Sequence, residues 1–259
     1  MTELSRRKTI LTSFALLWPG LFSRAQASEK VKKVRVIVAL ADNKYQGIVP
    51  ISENLGNGQS ARTNLYWGAL YGVKTYFSRH KDWTKIQSSA PEGFAHILDH
   101  ASFKRAATAN SGEVLLSAEA WNGAYIGQAL SRFYALLSDS SEEELVVFVG
   151  HNTLMDKFVP KPIATTRLKN ANLSRKRKAI ILACGSSAYF DDTVKDIGVT
   201  PLLTTKGLMA PEAYSLEAAL SAWAKGASDA EIRLAAAKSY AKFQKIPERN
   251  ARWLFSAKR

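Results

Sequence analysis

Short runs that are apolar almost throughout alternate along the chain with longer stretches whose apolar residues recur every three to four positions. Residues 34–40, 113–119, 145–149, 178–183 and 200–205 read as strands, with a weaker candidate at 85–87. The Leu-Val-Val-Phe-Val run at 145–149 is the strongest of them. Residues 125–137 carry helical periodicity through Ile126, Leu130, Phe133, Tyr134 and Leu137, and 210–225 and 228–244 read the same way. Two more helices are expected at 63–80, with Leu65, Leu70, Val73 and Phe77 inward, and at 93–108. Strands that are apolar on both faces and separated by helices imply a parallel sheet covered on both sides. The pattern therefore predicts one α/β domain over 28–259, a three-layer αβα sandwich around a mostly parallel sheet.

The first 27 residues fall outside that pattern and read as an export signal. Arg6, Arg7 and Lys8 precede an apolar run over 10–22, and Ala25-Gln26-Ala27 offers a small-x-small cleavage point. The run is shorter than the roughly 18–20 residues of a spanning helix, so a retained anchor is the lesser alternative. Ser5-Arg6-Arg7 resembles a twin-arginine signature, although Thr9 departs from its usual apolar residue. A periplasmic or secreted protein is expected.

Charge and cysteine content sharpen this picture. Formal net charge is +14, and cleavage after Ala27 would leave +11, which favours acidic partners and envelope polyanions. The single cysteine excludes an intramolecular disulfide and makes a cysteine-based zinc site improbable. In an oxidising compartment an unpaired thiol is a liability unless it is buried or used.

That thiol stands at a telling place. Parallel sheets gather ligands and reactive groups at the carboxyl ends of their strands. His151 follows the 145–149 strand and Gly150, and Cys184 follows the 178–183 strand. If the two strands are neighbours, about 5 Å apart, imidazole and thiol share one crevice. A histidine beside a thiol raises its thiolate population and can protonate a leaving group. Backbone amides around Gly150, Asn152, Cys184 and Gly185 are candidates to meet an oxyanion.

The paired blocks Leu-Val-Val-Phe-Val-Gly150-His151-Asn152 and Ala-Ile-Ile-Leu-Ala183-Cys184-Gly185, with His151 and Cys184 33 residues apart, resemble the caspase–haemoglobinase fold. That group of cysteine peptidases includes caspases, legumains, gingipains and clostripains. The resemblance spans roughly residues 33–226 at the level of pattern. It implies a caspase-like sandwich, a His151/Cys184 dyad, a peptide or protein substrate and no cofactor or resident metal. Asn152 stands where the family usually has glycine, and the Lys/Arg-rich spacer 153–178 does not map onto a caspase-type cleavage linker.

Other residues carry weaker signals. Asp42 and Asn43, at the end of the first strand, are candidates for a substrate pocket; Asp42 is equally a turn-capping residue. Asp191 and Asp192 could lend a pocket acidic character for Lys or Arg, or simply begin a helix. His96 and His100, placed four apart on the expected helix, have metal-ligand spacing, but the glutamate that metalloprotease chemistry requires after the first histidine is missing. Ser186-Ser187 lack a Gly-x-Ser-x-Gly context, and Gly56-Asn57-Gly58 lacks the strand–helix setting of a dinucleotide fingerprint. Trp67, Trp83, Trp121, Trp223 and Trp253 read as packing residues, so no nucleic-acid partner is expected. The tail 251–259 suits docking on the sheet or an anionic lipid. Two functions follow: an exported cysteine endopeptidase, or a non-catalytic envelope protein of the same fold that binds an anionic ligand. Oligomeric state is not encoded in any of these features.

Overall fold

The computed structural model describes residues 31–139, 142–156 and 177–256. The expected export signal and most of the basic spacer lie outside the described residues. Seven strands form one sheet: β1 (Lys32–Ala39), β2 (Thr84–Ile86), β3 (Ile97–Arg105), β4 (Val114–Trp121), β5 (Leu145–Val149), β6 (Lys178–Leu182) and β7 (Thr200–Leu203). Their spatial order is β2-β3-β4-β1-β5-β6-β7. Strands β4, β1, β5, β6 and β7 run parallel, and β3 pairs antiparallel with both β2 and β4.

Six helices cover the sheet among the described residues: α1 (Val73–Arg79), α2 (Ile126–Ser138), α3 (Ser186–Asp196), α4 (Ala213–Ala224), α5 (Asp229–Gln244) and α6 (Glu248–Leu254). Strand side chains alternate between faces, so two cores form. Val36, Val38, Val147 and Ile180 pack with α1, α4, α5 and α6 on one side. Ile37, Phe148 and Ile181 pack with α2 and α3 on the other. The three-layer α/β arrangement expected from the apolar runs is thus present. All five residues of β5 are buried, which is why its sequence shows no polar position. None of the helices among the described residues is long and apolar enough to cross a membrane.

Three expectations change. Residues 93–108 were expected to be helical, but 97–105 form β3. Ala101, Phe103 and Arg105 point into one core while His100, Ser102 and Lys104 take the opposite face, a period of two enforced by pairing with β4. The helix expected at 63–80 shrinks to α1, because 63–72 fold as consecutive turns. A side chain at Gly68 would strike the carbonyl oxygens of Ala61 and Arg62, and one at Gly72 the Trp67 backbone, so these turns are close-packed glycine positions. Leu70, expected inward, is exposed, whereas Val73 and Phe77 are buried. Helices α3 and α6 carried no clear helical signal in the pattern. Their formation places Asp191 and Asp192 in mid-helix rather than at a helix start.

The tail docks on the protein. Ala251, Leu254 and Phe255 join the α4–α5 core, and the Lys206 amide donates to the Leu254 carbonyl at 2.9 Å. Trp67, Trp83, Trp121 and Trp223 are buried as packing residues, and Trp253 is exposed.

Candidate functional site

The chain builds β1 through β4 on one side of β1 and then crosses to build β5 through β7 on the other. That reversal makes the carboxyl end of β1 a topological switch point, where an open parallel sheet leaves a crevice. Its neighbour β5 pairs in register with β6, with Val147 opposite Ile180 and Val149 opposite Leu182. Continued two residues, this register sets His151 beside Cys184.

Two glycines shape the strand ends. A side chain at Gly150 would come within 3.1 Å of Ala39 on β1, so the backbone there needs the space. Gly185 adopts a left-handed conformation with φ of 57°, and it starts α3 directly after Cys184. Neither glycine has a spare amide. Gly150 donates to the Leu182 carbonyl at 3.2 Å and Gly185 to the Gly207 carbonyl at 2.8 Å. Both were candidates to meet an oxyanion, and both N–H groups already serve structural bonds.

His151 is buried, and its Nε2 lies 3.0 Å from each carboxylate oxygen of Asp156. The side-chain amide of fully buried Asn152 donates to the Cys184 carbonyl at 2.7 Å, and its oxygen accepts from the Leu154 amide at 3.1 Å. Cys184 is half-buried, and its Sγ lies 3.4 Å from the Met209 amide nitrogen and 3.5 Å from the Met209 carbonyl oxygen. Among the described residues no hydrogen bond joins the imidazole to the thiol. Imidazole and thiol are neighbours by strand order, each held by its own partner.

Asp42 does not orient His151. Its Oδ1 accepts from the Lys44 and Tyr45 amides at 2.8 and 3.0 Å, the turn-capping role. Asn43 closes the same loop by donating to the Ile51 carbonyl and accepting from the Ile51 amide. Buried Asn64, at 0% exposure, secures the loop base by bonding both the amide and the carbonyl of Ala41. This loop still borders the site, since a side chain at Gly47 would meet Asp156 Oδ1 at 2.4 Å. Asp191 lines a small cleft with Lys195, Leu202, Thr204 and Arg233, whose lining includes neither His151 nor Cys184, and Asp192 is exposed.

The remaining candidates resolve as follows. The His96 ring stacks on Tyr125 with centroids 3.4 Å apart, and His100 bonds Ser117 and Ser88 from within β3. The helix that gave these histidines ligand spacing is not formed, and no group of three or more metal-binding side chains occurs among the described residues. Ser186 Oγ donates to the Ile181 carbonyl at 2.9 Å and is fully buried, a structural use. Asp156 went unnoticed in the sequence, although it had a local signal, a carboxylate five residues after a candidate catalytic histidine.

No protein-family model matches the chain, and no curated protein matches it.

Proposed function

We propose that the protein is an exported cysteine peptidase of caspase-like fold, in which Cys184 is the nucleophile and His151 the general acid and base. The observation that carries this reading is the in-register pairing of β5 with β6, which sets the carboxyl ends bearing His151 and Cys184 side by side, next to the switch point at β1. A carboxylate on Nε2 supports it further. Asp156 orients the ring and leaves Nδ1 to exchange protons with the thiol and substrate.

In this mechanism the Cys184 thiolate attacks the scissile carbonyl carbon and the electron pair moves onto oxygen. His151, protonated by the thiol, gives its proton to the departing amine as the C–N bond breaks. Water then attacks the thioester, His151 takes its proton, and the thiol is restored as the acid leaves. With the Gly150 and Gly185 amides already bonded, the oxyanion falls to the amides of Asn152 and Cys184.

Iodoacetamide on the folded full chain tests the reading. Labelling should disappear in Cys184→Ser, and His151→Ala should slow peptide turnover by about 10²-fold or more. A thiol that reacts only after denaturation would overturn it. The thiol's bonds, accepted from the Met209 amide and donated to the Met209 carbonyl, favour a second reading, a non-catalytic envelope protein of this fold that binds an anionic ligand. Salt-sensitive binding to anionic vesicles, unchanged in Cys184→Ala, would identify that case.

A further inference from the structure

We propose that Met155, Tyr189, Leu208 and Trp253 form an apolar surface beside Cys184 that receives a large apolar side chain of the substrate, phenylalanine or leucine, within two residues of the attacked bond. The inference rests on the peptidase reading and names its substrate class.

Two glycines at the thiol set the geometry. Gly185 follows Cys184, and a Cβ built on it would lie 3.9 Å from Met155 Sδ and 4.0 Å from Tyr189 Cε2, so both side chains reach one point over the Gly185 backbone. A Cβ on Gly207 would lie 3.3 Å from Trp253 Cζ3 and 3.6 Å from its Cη2. The Gly185 amide donates to the Gly207 carbonyl at 2.8 Å, which joins the two contacts into one surface. Leu208 is held there from both sides. The residue before it carries that carbonyl, and the residue after it, Met209, meets Cys184 Sγ through its amide at 3.4 Å and its carbonyl at 3.5 Å. Consecutive Cα atoms are about 3.8 Å apart, so the surface begins one residue from the thiol.

Its side chains are open to solvent. Met155 and Tyr189 are each 42% exposed, Trp253 60% and Leu208 77%. The same segments bury other apolar residues: Phe190 and Val194 on α3, Met209 after β7, and Leu254 and Phe255 at the end of α6. The four exposed side chains are therefore not spare core. They come from the turn at 153–155, from α3, from the loop after β7 and from α6, and folding gathers them around Gly185 and Gly207. An exposed apolar cluster of this kind marks an interaction site.

The neighbouring thiol identifies the occupant. A peptide that places a carbonyl on Cys184 Sγ advances about 3.3 Å per residue when extended, so its next side chains come level with Gly185 and Leu208. There they meet a thioether, two aromatic rings and a leucine. A thioether adapts to the shape of its partner, and the rings favour another aromatic group. A charged side chain would give up hydration against these groups.

The test uses quenched fluorescent peptides with the full chain, each of the two residues on either side of the cleaved bond being set in turn to Phe, Leu, Ser or Asp. Phe or Leu at one of these positions should raise kcat/KM about tenfold or more over Ser or Asp, the factor that burying such a side chain supplies. The double variant Tyr189→Ser/Leu208→Ser should lose that preference. Leu98→Ser, which alters an exposed leucine on β3, four strands from β6, should keep it. Cys184-dependent cleavage with no preference for Phe or Leu, or a preference that survives the double variant, overturns this inference and leaves the peptidase reading intact. If no peptide is cleaved, the peptidase reading fails, and the anisotropy of a fluorescein-labelled Ala-Phe-Leu-Ala amide decides the surface. Binding lost in the double variant supports an apolar peptide surface, and no binding, or binding that the double variant retains, overturns it. Self-association, or sedimentation with phosphatidylcholine vesicles, that the double variant abolishes while no peptide binds would assign the face to a second copy or a bilayer and overturn it too.

Discussion

The side-chain amide of Asn152 donates to the backbone carbonyl of Cys184 at 2.7 Å, bridging the loops that leave β5 and β6. Asn152 is completely buried and also caps the turn at 153–155 through Leu154. One residue thus holds the register of both candidate catalytic loops. Asn152→Ala would leave the Cys184 carbonyl and the Leu154 amide without this partner. We expect a loss of about 2 kcal/mol in unfolding free energy by urea titration, together with a slower thiol reaction because Cys184 loses its anchor.

Asp156 provides a test of positioning. Asp156→Ala removes the carboxylate from His151 Nε2, and peptide turnover should fall while alkylation of Cys184 by iodoacetamide changes less. Gly47→Ala is the companion variant. Its new methyl meets the end of the Asp156 side chain rather than backbone, so the carboxylate can swing aside. The expected result is lower turnover with an almost unchanged melting temperature. A large loss of stability in Gly47→Ala would contradict the account.

Gly185 and Gly150 should respond to alanine for different reasons. At Gly185 a Cβ has room, with Met155 Sδ nearest at 3.9 Å, and the cost is the left-handed backbone. Gly185→Ala should therefore lose about 1 kcal/mol. At Gly150 the added atom sits 3.1 Å from the Ala39 side chain and carbonyl, between central strands. Gly150→Ala also meets a backbone at φ of 159°, so Ala39→Gly, which leaves the Ala39 carbonyl in place, should relieve it only in part, whereas Gly185→Ala should not respond at all. Urea midpoints of the two single variants and the double variant distinguish them.

Burial raises the Glu212 carboxyl above its ordinary value of 4.5, with the bonds from Tyr214 and Gln244 opposing. A group raised in the folded state contributes stability that is fully present below its unfolded value and is lost as pH rises through its folded value. Glu212→Gln is neutral throughout. It should be more stable than the parent chain at pH 8, and the gap should close as pH falls below 4.5. Urea titrations across that range check the sign, and a gap that widens on acidification would refute it.

The run of apolar residues at 145–149 and its partner at 178–183 were sufficient, from sequence alone, to establish central buried strands, because a strand covered on both faces tolerates no polar position. The placement of His151 and Cys184 at strand ends followed from the same boundaries. Residues 97–105 were misleading because alternation over Ala101, Phe103 and Arg105 is masked by Leu98 and by the buried aliphatic stem of an arginine, and pairing with β4 decided the outcome. Residues 63–72 misled for a steric reason, two glycines pressed against neighbouring backbone. The roles of the acids were not local properties at all. Asp42 caps its own turn, Asp191 faces β7, Asp156 meets His151, and Glu212 bonds Tyr214 and Gln244. Periodicity and apolar content alone determined the layers and the strand ends. Which carboxylate, hydroxyl and amide meet across those ends depended on loop paths and long-range contacts, where the partners of Cys184 lie 25 and 32 residues away in sequence, and only the folded chain brings such distant groups within bonding distance.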